Sequence, residues 1–441
     1  MDRMRNTLVR LRGQLWLIPL VMSILALAFA TWILSSGSAV LKEWNDTELW
    51  WLYGGDTSSA RNLLSSLLSG LMTMTSLVVS MTFVILTLAA NQLGPRLITT
   101  FMADRQIQTV LGLFLGTILY VLVVLRSLDE TLGTEGVPHI AVTIGSGLTV
   151  VCLFALLFYV HKIAGAIIAD NIVARVADDL HANIHGILPR ESDDPERASA
   201  HPAQPRAGSL SLERSGYIQV VDYDKLVSVA SAGQCVLDVK IRAGHFVFRS
   251  GEHVIVHGPQ PLEQDAADAV RSAFLVGEQR SPAQDLEFGI RQLVEIALRA
   301  LSPGINDPYT AVAVIDRLGA GLEEIMHRSL KPSVLYDEGG DVRVLAQRSD
   351  IQGMMDAAFD PIRQSGDGMP TVLIRMADVL GQLAPAGCSR EARDAVDRHL
   401  GKLAETAEAA AFTPSDRRAV LHRVEHARIA ISTRVGAEGC P

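Results

Sequence analysis

The chain has 441 residues and only four cysteines, with no CxxC pair among them. Cys152, Cys235, Cys388 and Cys440 are widely separated, which argues against a disulfide framework and against a cysteine zinc site. Such sparse usage fits a reducing compartment for the soluble part. A basic excess is missing too. The formal net charge is −9, whereas nucleic-acid binders carry a basic face, so no nucleic-acid partner is expected. The signatures of common chemistries are also absent: there is no GxSxG, no HExxH and no phosphate-binding glycine loop. Gly145-Ser146-Gly147 lies in an apolar run and Gly319-Ala320-Gly321 in an amphipathic one, so neither reads as a dinucleotide loop. No enzyme, cofactor or metal centre is expected.

Apolar residues, by contrast, are plentiful, at 49% of the chain, and they gather in long runs. Leu15–Leu34, Asn62–Asn91, Ile107–Leu125 and Ile140–Val160 each approach or exceed the ~20 residues that cross a bilayer. A basic head precedes the first run, as in a signal peptide. The run is too long for a signal core and predicts an uncleaved transmembrane helix. Trp44, Trp50, Trp51 and Tyr53 in the 36–61 loop suggest an interfacial anchor. Gly112 and Gly116 form a GxxxG pair that permits close helix contact. Arg3, Arg5, Arg10, Arg12, Arg96, Arg105, Lys162 and Arg175 fall on one side of the four runs, and Lys42, Arg61 and Arg126 on the other. The positive-inside rule then puts both termini in the cytoplasm of a cell with the protein in its inner membrane.

Asn62–Asn91 is the run around which the rest is organised. It carries no charge, and on a helix it gathers Asn62, Ser65, Ser66, Ser69, Thr73, Ser76, Ser80, Thr87 and Asn91 on one edge. Leu64, Leu68, Leu71, Val78, Ile85 and Leu88 lie off that edge, and only Phe83 and Val84 interrupt it. Two readings stay open. Hydroxyls along a helix can wet a pore, and small or hydroxyl residues can equally let helices pack and bond across. Either use favours a homo-oligomer in a lipid bilayer.

Beyond the membrane part the period changes. The expected class is an α+β membrane protein: a four-helix transmembrane domain (1–163), an amphipathic neck helix (164–189), a flexible linker (190–215), a small β-barrel or sandwich (216–260) and a mainly α-helical domain (261–441). The neck has an apolar face at Ile163, Ile167, Ile172, Val176, Leu180 and Ile184 that needs a partner surface. Tyr217–Val221, Cys235–Ile241 and His253–Val256 read as strands, and GHFVFRSGEHVIV reads as a hairpin. Residues 262–328 read as helical. Val334–Leu345 reads as a second hairpin, followed by helices near 349–364, 369–383, 389–410 and 414–432.

Polar candidates in this part are Arg291, Glu295, Arg299, Asn306 and Asp307. Glu287, Arg291, Glu295 and Arg299 form an i,i+4 ladder on the outer side of one helix. Asp307 with Pro308 reads as the cap and first residue of the next helix. That helix start can hold an anion or a phosphate. The bland alternative is an ion-pair ladder and a capped helix, with no ligand. Asp178, His181 and His185 have helical spacing for a metal, as do His422 and His426, while His253 and His257 share a strand face. No carboxylate or cysteine set completes a site around any of them, and each is more often an exposed polar residue.

DLEFGIRQLVEIALRALSPGINDPYTAVAVIDR, at Asp285–Arg317, resembles the signature of bacterial predicted membrane proteins grouped as domain-of-unknown-function family 2254. SLVVSMTFVILTLAANQLGPRLI, SGYIQVVD and LYDEGGDVRV are similar to the same family. The resemblance implies a polytopic membrane protein with a cytoplasmic C-terminal part, and no activity. Two functions follow as expectations: an oligomeric conductance pathway gated from the cytoplasm, or a membrane-anchored sensor or scaffold.

Overall fold

The computed structural model describes residues 16–41, 54–93, 104–128, 138–166, 169–188, 204–328, 330, 333–383 and 390–435. Trp44, Trp50, Trp51, Tyr53, Arg96, Cys388, Cys440 and the side chain of Asn91 lie outside them. The chain divides into two units, Met1–Asn171 and Ile172–Pro441.

The first unit contains four long apolar helices, α1 (Leu17–Leu41), α2 (Thr57–Leu93), α3 (Arg105–Arg126) and α4 (His139–Ala166). Each is long and apolar enough to cross a membrane. Sheer length of uncharged sequence produces them, since a helix satisfies every backbone group without water. The GxxxG pair does what its spacing suggests. Gly112 faces Met22 and Pro19 of α1, and Gly116 faces Ala26, so α1 and α3 meet at backbone distance. Tyr120 donates to Ala141 O at 3.1 Å, and Tyr159 donates to Val78 O at 3.2 Å while also meeting Thr82 Oγ1. At one end, Asp104 caps α3 and accepts Lys162 from α4 at 2.7 Å.

The second unit opens with α5 (Ala169–Ile187), most of which it holds. It continues through β1 (Arg206–Leu210), β2 (Gly216–Val221), α6 (Tyr223–Ala232), β3 (Val236–Val239), β4 (Phe246–Val247), β5 (Val254–His257), α7 (Gln264–Ser272) and β6 (Phe274–Gly277). Then come α8 (Glu287–Ala300), α9 (Pro308–Met326), β7 (Val334–Tyr336), β8 (Val342–Ala346), α10 (Ile351–Ser365), α11 (Pro370–Leu383), α12 (Arg390–Ala409) and α13 (Pro414–Val435).

Several expectations are corrected here. Among the described residues the strands form two open sheets, ordered β1-β5-β3-β8-β7 and β4-β2-β6, and no closed barrel. GHFVFRSGEHVIV is not a hairpin, because β4 pairs with β2 while β5 pairs with β1 and β3. The linker is shorter than 190–215, since β1 within it pairs antiparallel with β5. The sheet also crosses residue 260: β8 joins β3 in parallel, so the hairpin β7–β8 completes it. Residues 262–328 include β6, and a helix, α6, stands where only strands were expected. Leu226 and Ala230 of α6 bury into the same core as Leu237, Val254 and Val344 of the sheet. Hydrophobic alternation shows that a segment is a strand, not which strand it pairs with.

Candidate functional site

The apolar face of α2 is spent inside the first unit. Ala60, Leu64, Leu71, Val78 and Ile85 are buried in its core, with Thr82 beside them. Ser65, Ser66, Ser69, Thr73, Ser76, Ser80 and Thr87 are all exposed. The hydroxyl edge therefore makes no packing surface within its own bundle. Three of these hydroxyls fold back on their helix: Ser69 donates to Ser65 O, Thr73 to Ser69 O and Thr87 to Phe83 O, each at 2.9 Å. Phe83 and Val84 break the edge and are themselves exposed.

In the second unit the α8–α9 corner follows its sequence closely. Asp307 Oδ1 accepts Tyr309 N and Thr310 N at 3.1 Å, and Oδ2 accepts Thr310 Oγ1 at 2.6 Å. Those bonds, Thr310's hydroxyl first, hold the Asp307 carboxyl below the usual carboxylate range. The carboxylate of the chain itself thus sits where an outside anion would bind, and such a cap contributes about 1 kcal/mol. Asn306 makes the preceding turn at φ +52°, with its N–H on Ser302 O at 2.9 Å.

The ladder is corrected at its first rung. Glu287 is buried, not on the outer side; it accepts Arg242 at 2.5 Å and Arg291 at 3.1 Å. Glu295 and Arg299 are half-buried farther along α8. Burial works against the charge of Glu287, but Arg242 and the bonds from Arg242 and Arg291 outweigh it and lower its carboxyl. Beside this pair Arg280 grips Asp285 Oδ2 at 2.8 Å, and burial pushes the Asp285 carboxyl up against the pull of Arg280. Gly244, at φ +89°, passes so close that a Cβ would overlap Asp285 Oδ2. His245 nearby is held below its usual range, by burial first and by Arg242 second. No local pattern marks this cluster, because Arg242 lies far along the chain from Arg280 and Glu287. Arg291 and Asp307 are not brought together by the fold. From Arg291 to the end of α8 is about 13 Å of helix rise, and Asp307 lies beyond it.

The histidine pairs have different fates. His253 is buried and its Nδ1 accepts Leu212 N at 3.0 Å, a satisfied core residue. His422 and His426 are exposed on α13. His181 and His185 on α5 meet Glu324 of α9, with His185 Nε2 2.6 Å from Glu324 Oε1.

Four apolar helices in one unit, followed along the chain by an α+β second unit, are the features of a mixed α+β membrane protein. Residues 12–382 match the family described as predicted membrane protein DUF2254, and the chain belongs to that family. Uncharacterized proteins Mb1321c of Mycobacterium bovis and Rv1290c of Mycobacterium tuberculosis are each 29% identical over 382 residues, 84% of this chain and 72% of theirs. No solved structure matches.

Proposed function

We propose that the protein works as a homo-oligomer in the cytoplasmic membrane, with the α2 edges of several copies meeting around a shared polar path. The observation that carries this reading is the outward direction of the edge from Asn62 to Thr87. Seven hydroxyl residues from Ser65 to Thr87 are exposed, while the opposite face of α2 is consumed by its own bundle. Lipid offers those groups nothing in return, whereas water or a neighbouring subunit does. Four helices are too few for a wide pore in one chain, so assembly about an axis is required. The second unit would gate the path from the cytoplasm, with no catalytic role.

A membrane-anchored sensor or scaffold is the second reading. Its support is that Ser69, Thr73 and Thr87 already bond their own backbone, which lets them tolerate lipid. Ser76→Leu and Ser80→Leu in the reconstituted full chain separate the two. Changed ion flux through liposomes with the oligomer intact supports the pathway. Unchanged flux and unchanged oligomer would remove its support.

A further inference from the structure

We propose that His181 and His185 of α5 and Glu324 of α9 form a site for a divalent transition-metal ion, which enters by displacing the Arg328 guanidinium. The i,i+4 spacing stacks the two imidazoles on one face of α5, with ring centroids 4.5 Å apart. Their Nε2 atoms are 3.1 Å apart, and Glu324 reaches both rings, His185 through Nε2 at 2.6 Å and His181 through its other nitrogen, Nδ1. One donor atom from each residue lies within 4.8 Å of the others. Around a tetrahedral zinc, with metal–ligand bonds near 2.1 Å, donors stand roughly 3.4 Å apart. The cluster needs only a small spread to accept an ion.

The ligand types select the ion. Two imidazoles and one carboxylate suit zinc and its neighbours, not the all-oxygen shell of calcium or magnesium. Access is open, because the cleft that holds the cluster is also lined by Asp178, Glu323 and His327, and His181 is well exposed. Glu324 is the fixed end, mostly buried and anchored on α9. Three protein ligands leave a fourth position for water or for a further group in the cleft.

A cation already stands beside these ligands. Arg328 approaches His185 Nδ1 at 2.5 Å and Glu324 Oε1 at 3.1 Å, and donates to Leu188 O at 3.0 Å. A guanidinium against His185 opposes a metal on the same ring, so the ion and Arg328 compete. Arg328 can release His185 and keep Leu188 O. The exchange swaps an internal cation for an external one and ties α5 to α9 by coordination. A second cluster among the described residues, Asp356, Asp360 and His399, differs in that Lys402 bridges both carboxylates at 2.9 and 2.7 Å.

The site stands independently of the conductance reading, and a binding experiment tests it. Full-length protein in detergent, free of any affinity tag and stripped with chelator, is titrated with Zn²⁺ against a chromophoric competitor, and in parallel with Co²⁺. One equivalent is expected to bind, with visible Co²⁺ bands of a four- or five-coordinate site. His181→Ala, His185→Ala and Glu324→Gln should each weaken Zn²⁺ by at least about tenfold. Arg328→Gln should tighten it several-fold, an effect that loss of folding cannot mimic. Absence of the Co²⁺ bands in the native chain overturns the proposal. So does Zn²⁺ binding that is equally tight in the His181→Ala and His185→Ala variants, or weaker in Arg328→Gln.

Discussion

His399 shows what burial does to one titratable side chain. It lies on α12, 1% exposed, with its ring edge-on to Phe359 at 5.9 Å. Asp356, Asp360, Arg398 and Lys402 surround it, and Nε2 stands 3.2 Å from Asp356 without making a hydrogen bond. Burial first, and Lys402 second, hold the imidazole down to about 4, while the two carboxylates pull it up. The folded protein therefore refuses a proton that the unfolded chain accepts at about 6.5. Above pH 6.5 neither state binds that proton and stability is full. As pH falls from 6.5 to about 4 the unfolded state alone gains it, and stability drops by on the order of 3 kcal/mol. His399→Leu should remove that drop. Melting of the full chain in detergent at pH 7.5 and pH 4.5 measures it. The same fall in variant and parent would assign the loss to other groups.

At the scale of elements, glycine decides how α5 docks. Ile172, Val176, Leu180 and Ile184 are buried, so the apolar face of the neck has its partner, and that partner is α8 and α9. A Cβ on Gly289 of α8 would fall 3.0 Å from Leu180 Cβ and 3.3 Å from its Cα. One on Gly321 of α9 would fall 3.0 Å from Leu180 Cδ2, and one on Gly319 would overlap Val379 of α11. The Gly-Ala-Gly step is thus a packing device. Gly289→Ala gains up to about 1 kcal/mol of helix propensity but forces α5 away, an overpacking cost of about 1–3 kcal/mol. Backbone cannot rotate aside as a side-chain tip can, so the cost should win. Hydrogen exchange should show α5 amides losing protection in Gly289→Ala, while Gly304→Ala, with open space around it, leaves them unchanged. Equal protection in both variants would mean α5 docks by other contacts. These contacts also show where sequence reading stops. The α9 start was legible because Asp307 and Pro308 act locally, and the α13 start because Thr413 Oγ1 accepts Asp416 N at 3.2 Å. The apolar face of α5 was legible from its period, but its partner was not. Glu287 reads as an outer ladder residue until Arg242, from the stretch between β3 and β4, pairs with it. Glu324 becomes the third group at His181 and His185 only because α9 lies against α5. The parallel pairing of β3 with β8 likewise spans a stretch of chain that no local pattern can bridge.

For the whole molecule the testable property is topology. The four apolar helices are an even number of spans, so the chain before α1 and the unit from Ile172 onward should share one side. Asp104 at the start of α3 and Lys162 near the end of α4 meet at 2.7 Å, which places those two ends together. Charge then sets which side that is. With four spans, eight basic residues, from Arg3 through Arg175, should fall on that side, against Lys42, Arg61 and Arg126 on the other. Translocating a short basic loop is costly, so the richer side should stay in the cytoplasm. Acidic residues, which give the chain its net −9, contribute little to this choice. With the native cysteines replaced by serine, a single cysteine at Gly54 or Ser58, before and at the start of α2, should react with an impermeant maleimide on intact cells. One at Ser250, exposed between β4 and β5, should react only after permeabilisation. The reverse pattern would invert the protein in the membrane. Labelling of all three positions from outside would break the four-span arrangement, and with it the gating role given to the second unit.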